Sequence, residues 1–168
     1  MKKIALALAL LLLPAISFAE NISYVDLNMT IFDAGHDSVD GFEAGLKTVF
    51  DGKLSIDVSQ FYAENSDDFP DLKELSVAYA IDSFSDGSFY VGAGVVDAGS
   101  AEAATSVGYA KLSGNGLDYN VSVSRIDGQN LIGFALSGQH GDSGLGWNAS
   151  MRTDGEVDIT SVGLSFIF

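Results

Sequence analysis

The stretch from Val157 to Phe168, VDITSVGLSFIF, carries the strongest fold signal in the chain. Apolar side chains recur at every second position from Val162 to Phe168, and Ser161, Gly163 and Ser165 alternate with them. A period of two is that of a β-strand, because successive side chains point to opposite faces. The end of the chain therefore predicts a strand with one apolar face and one small, polar face.

The first nineteen residues have the pattern of an export signal. Lys2 and Lys3 precede an apolar run from Ile4 to Leu13, and Ser17-Phe18-Ala19 has the small residues of a cleavage site. This run is too short to cross a bilayer as a helix. We expect residues 1–19 to be cleaved and residues 20–168 to form one domain.

The chain is strongly acidic, with 23 Asp and Glu against 8 Lys and Arg and a net charge of −15. Removal of Lys2 and Lys3 with the signal would make it more acidic still. A nucleic-acid binder needs a basic face, so that class is excluded. The chain has 0 Cys, which excludes a disulfide framework and thiol chemistry.

The rest of the sequence repeats the pattern of the last strand. Segments of alternating hydrophobicity are separated by turns, and many turns carry Asp-Gly or Asn-Gly, which favour tight hairpins. We predict ten strands, near residues 22–32, 41–50, 54–62, 73–81, 88–96, 104–112, 117–126, 129–138, 144–153 and 156–168. Eight strands is the alternative.

Turn chemistry predicts the strand registers. Two-residue turns at Asp127-Gly128 and Asp154-Gly155 place Val121 opposite Phe134 and Trp147 opposite Val162. A three-residue loop at 51–53 places Lys47 opposite Asp57, which predicts an ion pair. Val157 and Ile159 break the apolar alternation, so we expect a bulge or exposure there.

Two architectures share this pattern. In a soluble sandwich the apolar face is the core, whereas in a membrane barrel it contacts lipid and the polar face lines the lumen. The second face is rich in Gly, Ser and Asn, which suit a narrow barrel interior. We therefore predict an all-β fold, a closed antiparallel up-and-down transmembrane β-barrel. Its charged lumen residues are Asp26, Glu43, Lys47, Asp57, Asp118 and Arg152. They either conduct small cations or fill the interior with an ion-pair and hydrogen-bond network.

An even number of strands places both termini on the periplasmic side and the odd connections outside. The first three outer connections are acidic, and Asp33, Asp37, Asp67, Asp68 and Asp71 are candidate cation contacts. An alternative function uses the same region: a surface hydrolase in which His36 works with Asp67 or Asp68. No metal-spaced His cluster or phosphate loop occurs, so no cofactor or resident metal is expected.

The whole mature chain resembles the small outer-membrane β-barrel superfamily of Gram-negative bacteria, porin-like or opacity-type proteins. The resemblance rests on the 1–19 signal, the repeated amphipathic hairpins and the ending Leu164, Phe166 and Phe168. It implies that this ending is an assembly signal for the barrel assembly machinery. It also implies a cell outer-membrane location, among lipid and lipopolysaccharide. Many relatives have eight strands and long adhesive loops, whereas this chain has short ones.

These observations predict a monomeric outer-membrane barrel of structural or narrow cation-passage type, with no catalytic activity. The surface hydrolase and a secreted soluble β-sandwich binding module are the alternatives.

Overall fold

A computed structural model describes residues 22–34, 37–64, 71–84, 87–97, 101–111, 117–126, 128–140 and 144–168. Residues 1–19, the predicted signal, lie outside the described part of the chain. Within the described ranges, no helix has the length and apolarity needed to cross a membrane.

Ten antiparallel strands close into a barrel, in which each strand pairs with its neighbours in sequence and β1 pairs with β10. The strands are β1 Ile22–Ala34, β2 Asp37–Phe50, β3 Leu54–Ala63, β4 Leu72–Phe84, β5 Gly87–Asp97, β6 Ala101–Lys111, β7 Leu117–Ile126, β8 Gln129–Gln139, β9 Leu145–Thr153 and β10 Asp158–Ile167. The up-and-down barrel of ten strands is confirmed, and the eight-strand and sandwich alternatives are wrong.

Two of the three predicted turns have the expected register. Val121 pairs with Phe134 across the β7–β8 turn. Lys47 pairs with Asp57 across the three-residue loop between β2 and β3, where Asp51 and Gly52 adopt positive φ values of 50° and 64°. A positive φ at both positions reverses the chain tightly at little steric cost for Asp and Gly.

The predicted two-residue turn at Asp154-Gly155 is wrong, because the connection is longer. Trp147 pairs with Leu164 and not with Val162, a shift of two positions that leaves every side chain on its expected face. The backbone N–H groups of Glu156 and Val157 both donate to Asp154 Oδ1, at 2.9 and 2.8 Å. This side-chain bonding stabilises a wider turn than Asp-Gly alone predicts.

Two further expectations about strand ends are also wrong. The predicted strands 22–32 and 41–50 leave residues 33–40 as a loop, but β1 and β2 extend into this segment and pair Asp33 with Ser38. The register of β10 against β1 is continuous past Ile159, so no bulge occurs there, and Val157 and Ile159 are half-buried and not exposed. The irregularity lies in β4, between Ala80 and Asp82. Ile159 departs from the apolar alternation because its side chain points into the barrel.

The strand registers fix the width of the barrel. One circuit of paired residues starts at Asp33 and runs through Asp158, Thr153, Ile132, Val123, Val107, Val91, Tyr79, Leu54 and Phe50. Val49 is the partner of Ile22, and Phe50 is the next residue, so the circuit returns to β1 one position before Ile22. It started at Asp33, so the offset along β1, which is the shear, is 33 − 21 = 12 residues. Ten strands with this shear tilt by about 40° and place the Cα atoms about 10 Å from the axis.

The outer surface of the barrel is apolar. Side chains of the predicted apolar face remain exposed, among them Trp147 at 44%, Phe134 at 47% and Leu164 at 51%. Exposure of so continuous an apolar surface to water would be unfavourable for a monomer, whereas the acyl chains of a bilayer provide an apolar environment for it. The fold therefore has its apolar face outward and its polar face around the axis.

Candidate functional site

The inward positions of the ten strands form the lumen. We call one end of the barrel the loop end; it carries the β1–β2, β3–β4, β5–β6, β7–β8 and β9–β10 connections. The opposite end, where β1 begins and β10 ends, is the terminal end. Strand alternation and register place the six predicted lumen residues on the inward face: Asp26, Glu43, Lys47, Asp57, Asp118 and Arg152. Sequence reasoning missed Glu74 and Glu102, which also point inward.

An ion pair crosses the lumen at its widest span. Arg152 Nη1 donates to Glu74 Oε2 at 3.0 Å. Their strands, β9 and β4, stand five places apart in the ring of ten in either direction, so the two side chains reach from opposite walls. We call this pair the crossbar. Its side chains keep 34% and 28% of their accessible surface, so the crossbar contacts water-sized space.

The predicted partner of Lys47 is arranged differently. The register places Lys47 and Asp57 opposite each other, and the charge of Lys47 acts on Asp57. The basic lumen residue for which an N–O ion-pair contact is observed is instead Arg152, in the crossbar with Glu74. Sequence pairing identified neighbouring strands, whereas the crossbar joins strands that are far apart along the sheet.

An apolar ring lies beside the crossbar, toward the loop end. Because of this shear, a plane perpendicular to the barrel axis crosses each strand about 1.2 residues away from the position paired with the neighbouring strand. On that basis one layer collects inward apolar side chains from eight strands: Phe32, Phe61, Leu72, Val96, Ala104, Ile126, Leu131 and Ile159. Phe61 is 5% and Leu131 6% exposed, as in a packed core. The ring therefore surrounds the lumen with apolar side chains near the loop end.

A polar network joins the first and last strands, where the barrel closes. The buried polar side chains among the described residues all belong to β1 and β10: Asn28, Thr30, Ser161 and Ser165. We call these four residues the seam. Their hydrogen bonds lead to carboxylates on either side, Glu43 on β2 and Asp26 on β1.

The wall opposite the seam is lined by small side chains. Inward positions of β4 to β6 carry Ser76, Ala78, Gly92, Gly94, Ser106 and Gly108. Among the described residues, no side chain is buried to below 2% exposure. The polar part of the lumen, between the ring and the terminal end, therefore keeps room for water.

The predicted outer cation contacts and the hydrolase residues are only partly described. Asp33 lies at the end of β1, Asp71 precedes β4, and the backbone of Asp37 begins β2. His36, Asp67 and Asp68 lie outside the described residues, so the hydrolase stays a prediction. Within the described ranges, no group of three or more His, Asp or Glu side chains is placed to hold a metal ion.

The predicted assembly signal forms the closing strand. Leu164 and Phe166 pair with Leu27 and Val25 of β1. Phe168 follows β10, and its backbone exchanges two hydrogen bonds with Ser23, at 2.9 and 3.2 Å. The ring of Phe168 is 64% exposed. Leu164, Phe166 and Phe168 thus take part in the closure of the barrel between β10 and β1.

The apolar outer band, the closed sheet and the polar lumen define the class: the fold is that of porin-like outer-membrane β-barrels. No protein-family model matches the chain, and no curated protein matches it.

Among solved structures, the KdgM porin in complex with disordered oligogalacturonate has a TM-score of 0.50 at 11% identity, covering 87% of this chain and 98% of that one. A de novo designed transmembrane β-barrel has a TM-score of 0.43 at 12% identity, covering 88% and 94%. A Rhodopseudomonas blastica porin mutant has a TM-score of 0.40 at 17% identity. It is matched over 90% of this chain and 53% of its own length, so this chain spans about half of that porin.

Proposed function

We propose that the protein is an integral outer-membrane β-barrel of structural type, closed at its loop end and without catalytic activity. The observation that carries this proposal is the apolar ring stacked on the crossbar. An ion that enters from the loop end would have to lose its water to pass the ring, and apolar constrictions exclude ions in this way. It would then meet the crossbar, which spans the lumen at the next layer.

Narrow passage of small cations is the second candidate, and the charge of the lumen favours it. Six acidic side chains point inward among the described residues, Asp26, Glu43, Asp57, Glu74, Glu102 and Asp118. Two basic ones, Lys47 and Arg152, oppose them. A water-filled lumen with this excess would select cations. Passage would require the ring and the crossbar to open.

The lumen charge also bears on the ligand of the KdgM porin, an oligogalacturonate. Galacturonate carries a carboxylate on each sugar, so the oligomer is a polyanion. The acidic excess in this lumen would repel it. The charge of this lumen therefore disfavours a polyanionic ligand.

Planar-bilayer recording of the purified, refolded protein separates the two candidates. We expect the wild type to show no conductance steps. Leu131→Ser with Phe61→Ser, which removes the two most shielded ring side chains, should produce steps that favour K⁺ over Cl⁻. The matched control is Phe134→Ser, on the same strand as Leu131 but on the lipid face, at 47% exposure. Conductance steps in the wild type would contradict the closed barrel and support the cation-passage candidate.

We also propose an outer-membrane location, with the loop end outward and the chain monomeric among lipid and lipopolysaccharide. The alternation of apolar and polar faces supports membrane insertion. Asp33 and Asp71 at the loop end would contact the cations that bridge lipopolysaccharide phosphates. The protein would be inserted by the barrel assembly machinery, which would read Leu164, Phe166 and Phe168. Phe168→Ala, which keeps both backbone hydrogen bonds to Ser23 and removes a ring that is 64% exposed, should lower the outer-membrane amount in cells but leave refolding in detergent unchanged. Equal loss in both assays would show that Phe168 acts only through stability.

A further inference from the structure

The seam contains a buried acceptor without a donor. Asn28 is 8% exposed, and its Oδ1 accepts no hydrogen bond in the described part of the chain. Buried polar groups are nearly always paired, and an exception commonly marks a bound water or ion. The groups around Asn28 Oδ1 therefore indicate which ligand could bind beside it.

Two carboxylates flank Asn28 Oδ1. The oxygen lies over Gly163, because a Cβ on that glycine would meet it. Gly163 stands between two seam serines. Ser161 donates to Glu43 Oε2 at 3.3 Å, and Ser165 donates to Asp26 Oδ1 at 2.5 Å.

The backbone brings the same groups together from the other side. Glu43 is the β2 partner of Asn28, and Asp26 precedes Asn28 by two positions on the same face. The charges of Asp26 and Glu43 are close enough to act on each other. Three oxygen-bearing side chains thus converge beside the junction of β1, β2 and β10.

The hydrogen bonds leave an oxygen on each carboxylate for another ligand. Thr30 and Ser161 donate to Oε2 of Glu43, while Ser165 and Asn148 donate to Oδ1 of Asp26. In the described part of the chain, these are the side-chain donors to the two carboxylates, so Oε1 of Glu43 and Oδ2 of Asp26 accept no side-chain hydrogen bond.

The surrounding charge favours a cation over a neutral ligand. Four acidic side chains share the middle of the lumen, Asp26, Glu43, Asp57 and Glu74, with two basic ones, Lys47 and Arg152. Their formal charges leave an excess of two negative charges. A divalent cation would cancel that excess.

We propose that Asn28 Oδ1, Asp26 and Glu43 bind one hard divalent cation of the Ca²⁺ type, and that this ion clamps the seam. Oxygen ligands from carboxylates and an amide carbonyl are the set that Ca²⁺ takes, completed by water. The ion would join β1 and β2 directly, and β10 through the serines that hydrogen-bond to its ligands. It would therefore stabilise the closure of the first strand on the last.

Thermal unfolding tests this site on the refolded chain in detergent without lipopolysaccharide, with Ca²⁺ alone as the probe. A site with a Kd of about 1 mM, as in weak extracellular Ca²⁺ modules, lowers the unfolding constant about tenfold at 10 mM Ca²⁺. We expect the wild type to melt at a higher temperature in Ca²⁺ than in EDTA, with calorimetric binding of one ion per chain. Equal melting in both would mean that a water occupies the space, and would overturn the proposal.

Three variants assign the effect to the site. Asn28→Ala should fold at least as well as the wild type in EDTA, because it removes an unpaired acceptor, and should lose the Ca²⁺ shift. Asn28→Asp should be less stable in EDTA and should gain a larger Ca²⁺ shift. Asn120→Ala is the matched control: Asn120 is another lumen amide, hydrogen-bonded to Tyr90 at 2.9 Å and away from the seam, and its variant should keep the wild-type shift. A Ca²⁺ shift that survives Asn28→Ala would locate the ion elsewhere and contradict the site.

Discussion

Adjacent residues of β4 offer a direct test of which face of the barrel contacts lipid. Val77 points outward and is 42% exposed, while Ser76 points into the lumen opposite Asp57. Val77 is five residues from one end of β4 and seven from the other, near the middle of the membrane. We compare Val77→Arg with Ser76→Arg, the same new side chain one position away.

The expected difference follows from the two environments. An Arg on the lipid face near the bilayer midplane destabilises a barrel by about 2–4 kcal/mol, or about 30-fold to 1,000-fold in the folding equilibrium. Ser76→Arg should change stability by less than about 1 kcal/mol, because the new guanidinium faces Asp57 and water-accessible space next to small side chains. Val77→Arg should therefore be the less stable variant by at least about 1 kcal/mol, or about fivefold in the folding equilibrium.

Equilibrium unfolding by guanidinium in phospholipid vesicles measures this difference. The fluorescence of Trp147, the 1 Trp of the chain, reports on transfer between lipid and water because this side chain lies on the outer face at 44% exposure. Val77→Leu controls for changes in packing on the lipid face. Equal stability of the two Arg variants, or a more stable Val77→Arg, would refute the assignment of the apolar face to lipid.

Three further predictions concern single contacts. Gly163→Ala should lower stability by about 1–3 kcal/mol, because its Cβ would meet the Leu27 carbonyl and Asn28. Gly45→Ala is the control, because a Cβ there meets its nearest atom at 3.6 Å, so an equal loss at Gly45 would contradict this. Tyr90→Phe should cost about 0.5–1.5 kcal/mol through its lost hydrogen bond to Asn120, and the loss should disappear in an Asn120→Ala background. Backbone hydrogen bonds from Val157 and Glu156 lower the pKa of Asp154 below its usual 3.8, so the ionised group stabilises the fold above that value and ceases to do so as the pH falls below it. Unfolding midpoints of wild type and Asp154→Asn should therefore differ near neutral pH and converge in acid; a constant difference would contradict the role of its charge.

The local pattern of the sequence was sufficient for most of the barrel wall. Alternation assigned Trp147, Phe134 and Leu164 to the outer face and Asp26 and Arg152 to the lumen, because a strand has a fixed period of two. Asp127-Gly128 also predicted the β7–β8 register. The same reasoning failed at Asp154, where a side chain that accepts two backbone hydrogen bonds widened the turn.

The contents of the lumen depended on contacts that the linear pattern does not contain. Glu74 and Arg152 belong to strands on opposite walls, so their pairing follows from closure and not from neighbouring strands. Ile159, whose side chain breaks the apolar alternation, belongs to the ring because the shear brings the ends of eight strands to one level.

The sequence by itself determined the strands, their faces and the amphipathic wall, because these depend on residues that are close along the chain. The tertiary structure alone decided the crossbar, the apolar ring and the seam around Asn28. Each of these joins side chains from strands that become neighbours only when β1 pairs with β10 and the curved sheet faces itself across the axis.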